Sequence, residues 1–422
     1  YVTYSIFRKR CEEYSESDLT KDVEDKLWEE TIKENIFIIC KTPMAKSITK
    51  RTLVGFKDIS PNATYFDDLN NMMRNKSKQF INRITRANYW KKKGSGKMNF
   101  DAVVGNPPYQ LQGGAGGTSD SSIYQDFAEV SKSINPNYSS LIMPARWFSG
   151  GRENLVGDFR SDMLNNRSLR KMVFYPNPRD VFSNVDIKGG ICYYLIDKSY
   201  NGDCLFTLIE NNNKEESLRN LNDFDILIRY PRASEIVKKV AVYHNETTKT
   251  IEEIISRDTP FGIPTNPKKS KKNPIKVSNT KSFKYEIELH YIDKGKRKIG
   301  YVSRGRIIKN ASDVKFVKVF VPTGYGAGDT FPHQILGVPI LASSDSVCSQ
   351  SYLYIPFENL KEASSFIKYY KTKFFRALVL AVKITQSAHS KVYRFVPVQD
   401  FTDRSDIDWN KSIKEIDMQL YK

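Results

Sequence analysis

The apolar positions of this chain fall into short runs set between longer amphipathic stretches. Residues 1–35 read as helical, with Ile6 and Phe7 near the start and Val23, Leu27, Trp28 and Ile32 at helical spacing further on. The run Ile36-Phe37-Ile38-Ile39-Cys40 predicts a buried strand, and Pro43 suits the first turn of a helix continuing through Leu53. A polar, basic stretch over residues 70–97 reads as helix and loop. It gives way to Phe100-Asp101-Ala102-Val103-Val104-Gly105, whose paired valines predict a strand buried on both faces. A helix over residues 123–133 carries Ile123, Tyr124, Phe127 and Val130 on one stripe, and apolar runs at 141–143, 172–175 and 191–196 alternate with helical segments. Strands separated by helices predict an α/β fold with a mostly parallel sheet covered on both sides.

Past Cys204 the texture changes to shorter apolar stretches, more turns and more basic residues, as in Pro267-Lys268-Lys269-Ser270-Lys271-Lys272. A domain boundary is expected near 200–205, followed by an α+β region with helices over 357–370 and 372–382. A length of 422 residues fits two domains. With 40% apolar and 27% charged residues and no apolar run of eighteen, the composition is globular and excludes membrane channels, collagen-like chains and disorder. The five cysteines are scattered, with no Cys-x-x-Cys pair and four histidines, so neither a structural metal site nor a disulfide framework is expected. The chain begins at Tyr1 and shows no secretory leader, which predicts a cytoplasmic protein whose start lies upstream.

Charge narrows the partner. Lys and Arg number 66 against 48 Asp and Glu, a net +18, and residues 257–318 alone hold seventeen cations and five acids. Cations interleaved with Tyr and Phe suit a polyanion, because each neutralised phosphate releases condensed counterions; a solvated, solubilising face has about equal weight on charge alone.

Asn106-Pro107-Pro108-Tyr109 follows the 100–105 strand directly. At average residue usage this tetrapeptide arises by chance about once in a thousand chains of this length. Open α/β sheets bind ligands at the carboxyl ends of their strands. Two consecutive proline rings fix φ and remove two amide donors, leaving a stiff turn that presents carbonyl oxygens. Asn106 adds a side-chain carbonyl, so two acceptors can converge on one amino group and take both of its hydrogens. Tyr109 supplies an aromatic face for a flat substrate. The constellation suits an amine on a planar ring, held so that its lone pair attacks an electrophilic methyl.

On these residues the chain resembles the S-adenosylmethionine-dependent adenine-N6 DNA methyltransferases of bacterial restriction-modification systems, of the Eco57I-like type. The resemblance implies a Rossmann-like catalytic domain over 1–204 and a DNA target recognition domain over 205–422. It implies that Asn106 and Pro107 accept from the N6 amine of a flipped adenine in double-stranded DNA, that Pro108 stiffens the turn and that Tyr109 stacks. Gly113-Gly114-Ala115-Gly116-Gly117 is similar to the loop that follows the motif, and a plain linker fits it equally. Leu141-Ile142-Met143-Pro144-Ala145-Arg146-Trp147 is similar to the next strand and its Pro-x-Arg-Trp ending, with Arg146 facing either a phosphate or a carboxylate. Phe182, in Val181-Phe182-Ser183-Asn184, falls where the family contacts the other face of the base; an ordinary core phenylalanine is the competing reading.

The family's glycine loop after its first strand has no counterpart ahead of residue 106, and the chain is expected to start beyond it. Cys40-Lys41-Thr42 stands where an acid is expected to accept from ribose hydroxyls. Asp67 and Asp68 match the acid after the third strand, with a helix N-cap role as the alternative. No Asp…Glu-x-Lys nuclease pattern with a convincing strand context appears, so any restriction activity is expected upstream or in a separate partner. In the C-terminal region Lys268, Lys269, Lys271, Lys272, Lys296, Arg297 and Lys298 are expected phosphate contacts, and Arg304 and Arg306 suit guanine edges or phosphates. Thr385-Gln386-Ser387-Ala388-His389-Ser390 adds small polar side chains in a segment the family shares. The expected activity is site-specific adenine-N6 methylation. The alternatives are a catalytically incomplete DNA-binding module and a methyltransferase acting on RNA or on a protein glutamine.

Overall fold

Thr20 sets a boundary inside the N-terminal helical stretch. It leaves helical geometry and its hydroxyl accepts from the Val23 amide, which separates α1 (Val2–Cys11) from α2 (Lys21–Glu30). The computed structural model describes residues 1–93, 96–111, 121–150, 153–184, 187–243, 248–269, 275–324 and 335–421. By compactness the chain divides into two units, Tyr1–Met143 with Leu195–Ser199, and Pro144–Tyr194 with Tyr200–Lys422.

In the first unit β1 (Phe37–Cys40) leads through α3 (Pro43–Val54) to β2 (Asn62–Tyr65), and the two strands pair in parallel. Pro43 opens α3, as the sequence suggests, and the Thr42 hydroxyl caps the Ala45 amide at 3.1 Å. Then come α4 (Leu69–Asn75), α5 (Ser77–Ile84), β3 (Ala102–Gly105), β4 (Gln110–Leu111), β5 (Ser121–Ser122), α6 (Tyr124–Ile134) and β6 (Tyr138–Pro144). Phe66, Leu69, Met73, Phe80, Ile84, Trp90 and Val130 form a core between these helices. β3 runs parallel to β6, with Gly105 opposite Leu141. The expectation that both faces of β3 are buried is corrected: Val103 is half-buried and Val104 is 51% exposed. Among the described residues β3 ends its sheet, so it lacks the second neighbour that would cover it.

The second unit contains α7 (Glu153–Asn165), β7 (Leu169–Tyr175), β8 (Ile191–Asp197), β9 (Cys204–Glu210) and β10 (Asn213–Arg219), in the sheet order β10–β9–β7–β8. β7 and β9 are parallel, while β9 and β10 form a hairpin whose Asn211 and Asn212 take φ of 51° and 63°, the geometry of a tight strand-matched turn. The fold is therefore mixed α/β. After α8 (Pro231–Tyr243) and α9 (Ile251–Ile254), β11 (Glu286–Asp293) and β12 (Lys296–Ser303) make a second hairpin. Beyond it come β13 (Val317–Pro322), β14 (Ile340–Ala342), β15 (Ser346–Cys348) and β16 (Tyr352–Phe357), then α10 (Leu360–Lys371), α11 (Lys373–Val382) and α12 (Ile413–Leu420). β15 extends the β11 hairpin in parallel, and β13 lies between β14 and β16. One core is mainly aromatic, with Phe366, Tyr369, Phe375 and Trp409; another fills the β11–β16 region around Leu289, Phe320 and Val347.

No helix among the described residues is long and apolar enough to cross a membrane. All five cysteines are free and buried, and burial pushes the Cys192 and Cys204 thiols up to about 12.

Lys318 on β13 is fully buried and donates to the carbonyls of Asp313 at 2.9 Å, Val314 at 3.1 Å and Phe316 at 2.5 Å. It collects main-chain acceptors at the end of the short helical turn Ala311–Lys315. Burial lowers its ammonium to about 8. Lys318→Met is expected to cost about 2–4 kcal/mol in urea unfolding, since three buried or half-buried carbonyls lose their donor. Between pH about 8 and 10.5 the unfolded chain keeps the Lys318 proton and the folded chain releases it. Stability therefore rises with pH through that window for the natural protein relative to the variant, and the gap between their unfolding free energies widens.

Candidate active site

β3 stops at Gly105, and the next four residues form a turn that is neither helix nor strand. Asn106 is exposed at the strand's carboxyl end, Pro107 is buried, and Pro108 and Tyr109 are half-buried. The buried ring anchors the turn while its two prolines withhold amide donors, so the exposed Asn106 amide group is carried on stiff backbone. The turn is tied down on its far side. The Tyr109 carbonyl accepts from the Ile123 amide at 3.3 Å, and β4 and β5 pair antiparallel just beyond. Ile123 is wholly buried.

One guanidinium secures that far side. Arg74, in the last turn of α4, donates to Asp126 at 2.9 Å, to the Ser121 hydroxyl at 3.2 Å and to the Ser122 carbonyl at 2.6 Å. Burial lifts the Asp126 carboxyl above its ordinary range even with the guanidinium beside it. Gln125 donates to the same Ser122 carbonyl at 3.0 Å.

Asp67 and Asp68 follow β2 and are exposed. Asp68 sits at the N-cap position of α4, yet its carboxylate accepts from the Asn71 side chain at 2.7 Å in place of the helix amides. Both carboxylates thus stand past the carboxyl end of one parallel strand, and Asn106 stands past the end of another. At the end of β1, Cys40 is buried with its sulfur 3.9 Å from the Thr49 hydroxyl, and Thr42 is committed to capping α3. That strand end presents a thiol where a ribose-binding acid is expected.

A sequence match covers this region. The family model for Eco57I restriction-modification methylase fits residues 34–182. The resemblance is to the Eco57I restriction-modification methylases. An uncharacterized adenine-specific methylase from Mycoplasma pneumoniae is 31% identical over 147 residues, which covers 31% of this chain and 35% of that protein. The chain thus spans about a third of the length of this curated relative. Among solved structures, the type IIG restriction endonuclease BpuSI matches over 91% of this chain and 58% of its own, at 12% identity and a TM-score of 0.34. The ATP-dependent Type ISP restriction-modification enzyme LlaBIII bound to DNA matches over 92% and 34%, at 9% identity and a TM-score of 0.46. The segment matched by the Eco57I model contains Asp67, Asp68, the 106–109 turn, Arg146 and Phe182.

In the second unit the turn Ala145–Phe148 follows β6, with Trp147 and Phe148 fully buried and Arg146 exposed. Buried Arg160 holds this turn by donating to the Trp147 carbonyl at 2.6 Å and the Gly150 carbonyl at 2.8 Å. The Ala145 amide donates to the Gly190 carbonyl at 3.0 Å. Gly190 has a φ of +83°, and a Cβ there would lie 2.4 Å from the Tyr175 oxygen, so no other residue fits. Phe182 is half-buried, its amide donating to the Pro178 carbonyl at 2.9 Å.

Lys296, Arg297 and Lys298 are exposed along β12, and Arg297 donates to the Val338 carbonyl at 2.9 Å. Lys268 and Arg306 are exposed, while Arg304 pairs with Asp345 at 3.0 Å. Lys271, Lys272, the side chain of Lys269, and Gly113-Gly114-Ala115-Gly116-Gly117 lie outside the described residues.

Sequence reasoning missed Arg74 and Arg160, whose bonds within their own units span 47 to 52 and 10 to 13 residues. Neither pairing has a local signature, since Arg74 reaches a strand–helix junction far along the chain and Arg160 bonds main-chain carbonyls that any sequence carries. Arg74→Ala is expected to loosen residues 121–126 by about 1–3 kcal/mol. Amide exchange at Ile123 should then speed up by about 5- to 150-fold, read by hydrogen-exchange NMR or mass spectrometry.

Proposed function

We propose that this chain is the methylase and recognition part of a restriction-modification protein, a site-specific adenine-N6 DNA methyltransferase. The observation that carries the reading is the 106–109 turn. It sets an exposed Asn106 on a proline-stiffened backbone at the carboxyl end of a parallel strand, within the segment that matches the Eco57I methylases. Residues 1–204 are proposed as the catalytic domain with a Rossmann-like sheet, and residues 205–422 as the target recognition domain, working on double-stranded DNA in the cytoplasm. A nuclease component is proposed to lie upstream or in a separate chain.

S-adenosylmethionine, when bound, supplies an electrophilic methyl on a sulfonium centre. The exposed carboxylates of Asp67 and Asp68 suit amino or hydroxyl donors of such a cofactor. The Asn106 side-chain carbonyl and the Pro107 main-chain carbonyl accept the two N6 hydrogens of an adenine turned out of the duplex. Held this way, the amine's lone pair is localised and aimed, and its proton leaves after transfer. Tyr109 stacks on one face of the base, and Phe182 is proposed for the other. Pro108 keeps the acceptors fixed. Arg146, Lys268, Lys269, Lys271, Lys272, Lys296, Arg297 and Lys298 are proposed to meet phosphates. Arg306 and Arg304 are proposed to reach base edges, Arg304 by exchanging its exposed partner Asp345.

Buried Cys40 at the end of β1 favours one other reading, a DNA-binding module with an incomplete cofactor site. Calorimetric titration with S-adenosylmethionine separates the two: duplex binding without cofactor binding selects the module. For the methyltransferase, Asn106→Ala is expected to lower methyl transfer to duplex DNA by about 10²–10³-fold, with duplex affinity largely kept. Near-normal turnover of that variant, in labelled-methyl incorporation, would refute the assignment.

A further inference from the structure

The segment Lys281-Ser282-Phe283-Lys284-Tyr285 leads into β11 within the basic stretch 257–318. Phe283 is 56% exposed and Tyr285 58% exposed. Their rings stack on each other, with centroids 5.2 Å apart and planes within 7° of parallel. Isolated exposed aromatics are ordinary, but here two large rings meet each other outside both cores of their region.

The backbone that presents them is fixed. The Glu286 carboxylate accepts from the Ser282 amide at 2.6 Å and the Phe283 amide at 3.2 Å, and the Glu286 amide donates to the Phe283 carbonyl at 3.1 Å. The Arg304 amide holds the Tyr285 carbonyl at 3.0 Å. A carboxylate is thereby spent on a turn in the most basic part of the chain, leaving Lys281 and Lys284 exposed beside the rings. The result is a fixed, stacked pair of rings, each more than half exposed, with two exposed lysines next to them in the chain. Its complement is a flat π-face with anions at its rim, which is the arrangement of a base step in DNA.

We infer that Phe283 and Tyr285 form an aromatic wedge that stacks against bases at an opened step of duplex DNA, with Lys281 and Lys284 on the flanking phosphates. The inference rests on DNA being the substrate, as proposed above, and adds a contact that reads how easily a step opens. Pyrimidine–purine steps open most readily, so the wedge favours sites that contain one.

The test compares an intact duplex with the same duplex carrying a one-nucleotide bulge, in which unstacking is already done. The protein is expected to bind the bulged duplex more tightly, by about 5- to 150-fold. Phe283→Ala/Tyr285→Ala should lose that preference while keeping the slope of its duplex affinity with salt, because the cations are untouched. Phe283→Tyr/Tyr285→Phe should retain the preference, and circular dichroism should show the alanine variant folded. An alanine variant with an unchanged preference overturns the inference. So does loss of binding to anionic phospholipid vesicles with DNA binding unaltered, which would assign the rings to a membrane. Failure of the natural protein to bind either duplex would instead remove the DNA reading itself.

Discussion

The four residues after β3 set a constraint on everything around them: a turn containing two prolines cannot hold itself together with its own amides. Its rigidity has to come from ring geometry inside and from fastening outside. Burial of Pro107 provides one fixed point, and the Tyr109–Ile123 hydrogen bond provides another. Arg74 then binds the β5–α6 junction to α4, so the helix that follows Asp68 and the strand pair beside Tyr109 are tied together. Asp67 and Asp68 on one side and Asn106 on the other, past the ends of separate parallel strands, are thus tied to a common frame.

Much of this frame is legible in the sequence because its strands are short apolar runs next to helix-starting signals. The 36–40 run, the Pro43 helix start and the runs at 141–143, 172–175 and 191–196 all mark elements that the structure contains. Hydropathy extends less far where the number of neighbours decides burial. Val103 and Val104 read as interior, yet a strand paired along one edge leaves Val104 open. The β9–β10 hairpin is hidden for the opposite reason, since Asn213–Arg219 is polar and its pairing is declared by the two asparagines of the turn. The acceptor motif stands out because its residue types are rare together. Arg74, which holds its surroundings, does not, because its partners lie 47 to 52 residues away.

The second unit handles positive charge in two ways. Along β12 and the segment before β11 the cations are exposed and their local pairs are few and weak. Inside, cations serve the backbone: Lys318 gathers three carbonyls, Arg160 two, and Arg229 donates to the Lys383 carbonyl at 2.5 Å. Burial holds Lys383 down to about 8 beside that guanidinium. Formal charge therefore overstates what the surface offers a polyanion, and the exposed stripe is the part that counts.

The buried thiols bear on how the molecule can be handled. With Cys11, Cys40, Cys192, Cys204 and Cys348 all buried, the native thiols are shielded from reagents in solvent. A single cysteine placed on the surface, for instance by Ser282→Cys, would then be the one site open to maleimide dyes. A fluorophore could be attached beside a chosen face without first stripping the chain of its native sulfur.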